Sequence, residues 1–552
     1  MREWWRWLRL TYLSVDARSL GLFRVVFGLV LFSDLARRWA ELGFWYTNSG
    51  LLPNHTLLWR PPAGRMFSLF FTVSSVQEAQ FGFALCAVAY AMFVLGYRSR
   101  WAQLLTLVAR VSLNSRLLVL ENGGDMVMDL LCLLTLPLPL GARFSLDALA
   151  TATREKRAGE ADGAAGDGAA RDGVADWTRR PVESLAVLGL LLQFAAIYLL
   201  NAASKNGAAW RDGSAVHYAL HQDKLVTWVG VWMREHLPQR ALRTLTWSVL
   251  ATEWLGFALI ITPLFARRAR LVAACLMPLL HAGFALGLNL GGFSPAMISF
   301  YPLLLSAEHW DGLSRRFGAR VAPARAKLEN LLGLLPSWLR PPPLTPPSKA
   351  WRVVTEAGVI MLLLAIGSEV LNDNAPVPQA LRVAQPAWAK AIIEYPRILQ
   401  GWRMFAAEPP RTDSMIYVEA LTATGAHVDP YNEVASDQSH PAGDVVPRHM
   451  GQSQFFVMYS ERIPNEGYAA YRQAFSEWLL AYPARTHRDE DCLLSYDVYL
   501  VTDHSPAPGA APWPTPRDRQ RFMTYSAPFD SPCRSVHGRR PARPATSVAA
   551  AP

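Results

Sequence analysis

Leu185-Ala-Val-Leu-Gly-Leu-Leu-Leu-Gln-Phe194-Ala-Ala-Ile-Tyr198-Leu-Leu200 runs without a charged side chain. A hydrocarbon layer about 30 Å thick is crossed by roughly 20 mostly apolar helical residues. With its flanks, residues 182–203, this stretch meets that length. Eight more read the same way: 19–37, 79–97, 101–120, 125–142, 244–266, 269–290, 293–307 and 352–371. Arg110, Asn114 and Arg116 interrupt the segment 101–120, and Pro295 and Pro302 make 293–307 a short, broken or re-entrant helix. The expected fold is an all-α multi-pass transmembrane helix bundle of eight or nine spans over residues 1–371, with a flexible loop over 143–181. A small α+β extramembrane region follows over 372–504, then a Pro/Ala/Arg-rich disordered tail over 505–552.

Of the 552 residues, 51% are hydrophobic and 18% charged, against about 25% charged in soluble chains. The formal net charge of +10 comes from Lys and Arg in connectors rather than from a basic stripe with interleaved aromatics, so the charge speaks for membrane orientation and against nucleic acid. Arg98 and Arg100, the loop from Arg143 to Arg180, the cluster Arg267, Arg268 and Arg270, and the stretch from Arg315 to Lys349 all fall on one side. That side is cytoplasmic by the positive-inside rule, with the N-terminus, and the C-terminal region is periplasmic or extracellular. Residues 204–243 break the rule: they fall outside yet carry Lys205, Arg211, Lys224, Arg234, Arg240 and Arg243. The Trp- and Arg-rich N-terminus lacks the apolar core of a cleavable signal and suits a helix lying in the interface. The best-fitting location is a bacterial inner membrane.

Beyond residue 372, segments 414–421 and 426–431 alternate around Thr424-Gly425 as a hairpin. Helical spacing of aromatics follows over 466–482, and another strand over 493–502. Cys86, Cys132 and Cys275 sit in apolar runs as small hydrophobes. Cys492 and Cys533 lie outside such runs, where an oxidising compartment would let them pair.

Ionisable side chains in apolar spans are costly and point to function or to internal ion pairs. Here they are Arg110, Arg116, Asp125, Asp129, Glu253 and His281. Lys205 stands where the helix ending at Asn201 leaves the apolar layer and precedes Trp210. Desolvation there favours a neutral amine, as a general base requires, and a lysine snorkelling to phosphates is the competing reading. His217 and His221 share a helix face, but no third metal ligand is evident, and an interfacial pair is the simpler reading. His281 opens a stretch in which Gly287, Gly291 and Gly292 permit close backbone approach. Gly123-Gly124 reads as a turn. The sequence has no phosphate loop, dinucleotide fingerprint or serine elbow, and no metal or nucleotide is indicated.

Five segments in order resemble the HTTM (horizontally transferred transmembrane domain) family of the vitamin K-dependent gamma-carboxylase and its bacterial relatives. They are Asp16 to Asp34; Tyr198-Leu-Leu-Asn-Ala-Ala-Ser-Lys205-Asn-Gly-Ala-Ala-Trp210 and on to Tyr218; His281 to Ser294; Asn122-Gly-Gly-Asp125 with Pro139 to Asp147; and Gln400-Gly-Trp402-Arg-Met-Phe405-Ala-Ala-Glu-Pro409. The resemblance covers about residues 14–310, with weaker traces to about 503. It implies Lys205 as the weak base that deprotonates a vitamin K-type hydroquinone (here a menaquinol-like quinol), with Trp210, His281 and Phe293 lining the substrate site. It also implies that the oxygenated quinol removes a glutamate gamma-proton before carbon dioxide adds, with a peptide or small molecule as co-substrate. Ser204 stands where the carboxylase has a lysine. The alternative is a non-enzymatic membrane protein, a small-molecule carrier or a scaffold for the outer domain.

Overall fold

A computed structural model describes residues 2–59, 66–161, 180–334, 336–435, 453–510 and 517–537. The described residues are mostly helical, with a two-stranded pairing of Ser14–Val15 with Val182–Glu183 and one five-stranded sheet. The main helices are α1 (Ala17–Ala40), α2 (Val76–Leu95), α3 (Ser99–Ser115), α4 (Gly123–Thr135), α5 (Leu185–Ser204), α6 (Gln239–Ile261), α7 (Ala266–Gly287), α8 (Phe293–Phe300) and α9 (Lys349–Asp373). Polar residues set the boundaries. Asp16 accepts the Arg18 amide at 2.8 Å, Ser75 and Glu78 form a reciprocal capping box, and Ser184 and Ser348 cap α5 and α9. Gly96 ends α2 at φ +62°, where an added Cβ would fall on the Arg24 guanidinium, so both conformation and space require glycine.

Six of these helices (α1, α2, α5, α6, α7 and α9) are long and apolar enough to cross a membrane. The other three predicted spans fall short. α3 has 17 residues and α4 has 13, while α8 has 8 and is followed by a 3-10 turn through Pro302. At about 1.5 Å per residue none of them reaches about 30 Å. α8 packs inside on α1, α4 and α7, and α3 packs on α2 and α4 with Trp101, Leu104 and Leu105 left exposed. The glycine pair read as a turn begins α4, and Gly124 lets that helix touch the backbone at Gly292 and Phe293.

The interior is ionic. Arg38 and Arg110, both fully buried, bind Asp34 at 2.7 and 2.8 Å, and both also bind Asp125. Arg110 reaches Asp129 at 2.9 Å, Arg37 binds Asp34 at 2.6 Å, and Asn114 donates to Asp129 at 2.7 Å. Three arginines thus face three carboxylates, and the cluster ties α1, α3 and α4 together. Arg116 is also buried and donates to the Leu52 carbonyl at 2.8 Å.

The C-terminal region is a five-stranded antiparallel sheet with helices. Strands β1 (Thr412–Thr422), β2 (His427–Asp429), β3 (Val434–Ala435), β4 (Leu493–His504) and β5 (Arg517–Ser526) lie in the order β3-β2-β1-β4-β5. The predicted hairpin is present, Ala420 facing Val428 across a turn with Gly425 at φ +83°. The helical stretch 466–482 begins as a 3-10 turn and becomes a helix over Arg472–Leu480. Residues 505–552 depart from the expected disorder: β5 and a helix over Pro532–His537 lie there, and a disulfide joins Cys533 to Cys492. Part of that stretch, 511–516 and 538–552, lies outside the described residues, as does 162–179 of the predicted flexible loop, whose start instead extends a helix over Leu146–Ala161. Cys275 is exposed rather than buried.

The anomalous segment 204–243 is covered by this region. Gln222 donates to the Pro410 carbonyl at 3.0 Å, and His217 bonds the Pro506 carbonyl at 2.9 Å. The ammonium of Lys224, itself buried, lies 3.2 Å from Asp413 and 2.9 Å from Glu461. Its excess of cations is thus met partly by carboxylates of the C-terminal region. Lys224→Ala leaves Asp413 buried without its cation, which costs about 3–5 kcal/mol for such a pair. The expected result is faster hydrogen exchange across 410–415 with the bundle's protection unchanged; equal protection in both proteins would show that the ion pair does not hold the two parts together.

Candidate functional site

Tyr198, Asn201 and Lys205 recur at i, i+3 and i+7, so they share one face at the end of α5. That face meets α6, which presents Glu253. Lys205 Nζ lies 2.5 Å from Glu253 Oε1, and the Asn201 amide donates to the same oxygen at 3.0 Å. All three side chains are buried. The ammonium also sits 4.6 Å from the ring centre of Trp210, within cation–π range. Burial pushes the ammonium of Lys205 below the ordinary lysine value, and the Glu253 carboxylate pulls the other way. Lys205 is therefore neither snorkelling nor lipid-facing.

A second arm joins through Tyr198. Its hydroxyl lies 2.6 Å from His281 Nε2 on α7 and bonds the hydroxyl of Tyr301, just past α8. Phe293 at the start of α8 stands 5.6 Å from the His281 ring, centre to centre. Among the described residues, three buried polar atoms here have no partner: Glu253 Oε2, Asn201 Oδ1 and His281 Nδ1. An unmet buried group costs about 1–3 kcal/mol, and more when charged. Such atoms call for a partner that an ordered water, an ion or a ligand group can supply.

Trp210 is held by the C-terminal region. Its indole N–H donates 2.9 Å to the Phe405 carbonyl, the Gly207 amide donates 3.1 Å to the Ala407 carbonyl, and the Ala208 amide donates to Glu408. Residues Phe405–Glu408 thus pack on Gly207–Trp210, two stretches about 200 residues apart in sequence. One turn along α7 from His281, Ala285 lines a cleft of about 370 Å³ with Val226, Trp228, Leu288, Leu290 and Ser294.

All four predicted site residues are brought into this region, Lys205 with Trp210 and His281 with Phe293. Glu253, which sequence reading had set only among several costly charges, proves to be the partner of Lys205. Tyr198 and Tyr301 were missed, because a tyrosine in an apolar run carries no charge to notice. The rings of His217 and His221 lie tilted to each other with centres 4.2 Å apart. Among the described residues no cluster of three or more His, Cys, Asp or Glu is placed to hold a metal. No protein-family model matches the chain, and neither a curated protein nor a solved structure does. The site is read from its own geometry.

Proposed function

We propose that the chain is an integral membrane protein of the HTTM type, using a membrane quinol at a centre built on Lys205 and Glu253. The membrane part rests on an inverted surface. Phe81, Val88, Leu279, Leu286, Val353 and Leu364 stand exposed on the long helices, whereas Arg38, Arg110 and Asp129 are fully enclosed. Water would penalise that outer surface, and lipid would not. The membrane we assign is the inner membrane of a bacterial cell, with the N-terminus on its cytoplasmic face.

One observation carries the functional part: a lysine and a glutamate, buried together at the end of an apolar helix, beside unpartnered polar atoms and aromatic rings. A quinol offers flat apolar carbon to Trp210 and Phe293 and a hydroxyl to the polar atoms. The buried pair takes its proton while the ammonium charge faces the oxygen left behind. A quinol held there would supply the oxygen-dependent base chemistry of the carboxylase that the sequence resembles, and a glutamyl peptide or another weak carbon acid would be the co-substrate. Purified protein in lipid, given menaquinol, is expected to consume oxygen above the rate of protein-free vesicles. No uptake with menaquinol, ubiquinol or vitamin K hydroquinone would remove the proposal.

A further inference from the structure

We infer that Glu253 Oε2 and Asn201 Oδ1 form a subsite for a ligand hydroxyl, so that the ligand's proton passes to the Glu253 carboxylate rather than directly to Lys205. The inference deepens the quinol reading and rests on it for the ligand's identity, but not for the hydrogen bond.

The geometry argues as follows. A carboxylate only accepts hydrogen bonds, so the side chain of Asn201 turns its NH2 toward Glu253 and keeps its own oxygen as an acceptor. Lys205 and Asn201 both donate to Oε1. Oε2 and the Asn201 oxygen are then two buried acceptors with no donor. An anion or a bare carbonyl would be repelled there, and a hydroxyl would be held. Lys205 cannot take a proton while it carries three, and its ammonium is already committed to Oε1 and to the Trp210 face. In the step that follows, the ligand O–H bond breaks and an O–H bond forms on Glu253 Oε2. The electron pair stays on the ligand oxygen, whose negative charge faces the Lys205 ammonium.

The test compares two probes, 1-naphthol and 1-methoxynaphthalene, which share the ring system and differ in the hydroxyl donor. Binding to the full-length protein in lipid nanodiscs is measured by calorimetry. Wild type is expected to bind the naphthol about tenfold more tightly. Glu253→Gln places an amide NH2 where Oε2 stood and is expected to erase that preference. Asn201→Ala removes the second acceptor, leaves the ion pair, and is expected to reduce the preference about threefold, which covers the case in which Glu253→Gln fails to fold. Equal affinity for the two probes, no binding of either, or a preference unchanged in both variants would overturn the inference. A naphthol preference in a protein that consumes no oxygen with any quinol would leave the subsite standing and remove the quinol reading alone.

Discussion

Replacing Arg110 with alanine is expected to remove most of the folded protein. The guanidinium is fully enclosed and binds Asp34 on α1 and both Asp125 and Asp129 on α4. Without it three carboxylates face Arg37 and Arg38, and Asp129 keeps only the amide of Asn114 from this cluster. Breaking a buried pair on one side costs about 3–5 kcal/mol, a large share of the roughly 5–15 kcal/mol that holds a domain together. Recovery of a monodisperse peak from detergent, with the unfolding midpoint, measures the effect. Arg110→Ala combined with Asp129→Asn should regain part of the loss, because the second change removes the carboxylate most dependent on Arg110. Equal midpoints for Arg110→Ala and wild type would mean that the cluster does not hold the helices.

Lys205→Met should behave in the opposite way, keeping the fold and losing the chemistry. Methionine fills much of the same volume, and Glu253 can take up a proton once the ammonium is gone, so the buried charge vanishes with its partner. Quinol-dependent oxygen uptake is expected to fall by about 10²–10⁴, the usual worth of a positioned acid–base group. Lys205→Arg separates two roles. Arginine keeps the charge but does not give up its proton. Partial activity in that variant fits an ammonium that steadies the quinolate while Glu253 takes the proton; activity as low as in Lys205→Met fits lysine as the base. Uptake at the wild-type rate in Lys205→Met would remove this residue from the site.

The long helices were legible because a run such as Leu185 to Leu200 has one length-dependent use. Three others were overread for one physical reason. A short helix enclosed by protein is as apolar on average as one facing lipid, and composition does not say which neighbour covers it. The polar residues that interrupt α3, Arg110 and Asn114, were the sign that its second half faces other helices. The tail misled through its composition. Pro, Ala and Arg dominate it, yet Arg517–Ser526 pairs along β4 and Cys533 is tied to Cys492, and neither long-range partner is visible in a local window. The site was half legible. Lys205 and Trp210 stand in one short segment and His281 and Phe293 in another, but the pairing of Lys205 with Glu253 is a tertiary fact. One acid in an apolar helix and one base at the end of another can suggest it, without saying that they meet.

A density map of the protein in a lipid nanodisc equilibrated with menaquinol, kept reduced and free of oxygen, tests the central claim most directly. The account predicts the quinol ring between Trp210 and Phe293, with a hydroxyl within hydrogen-bond distance of Glu253. Acyl chains or solid protein filling that volume, with the quinol elsewhere or absent, would contradict it.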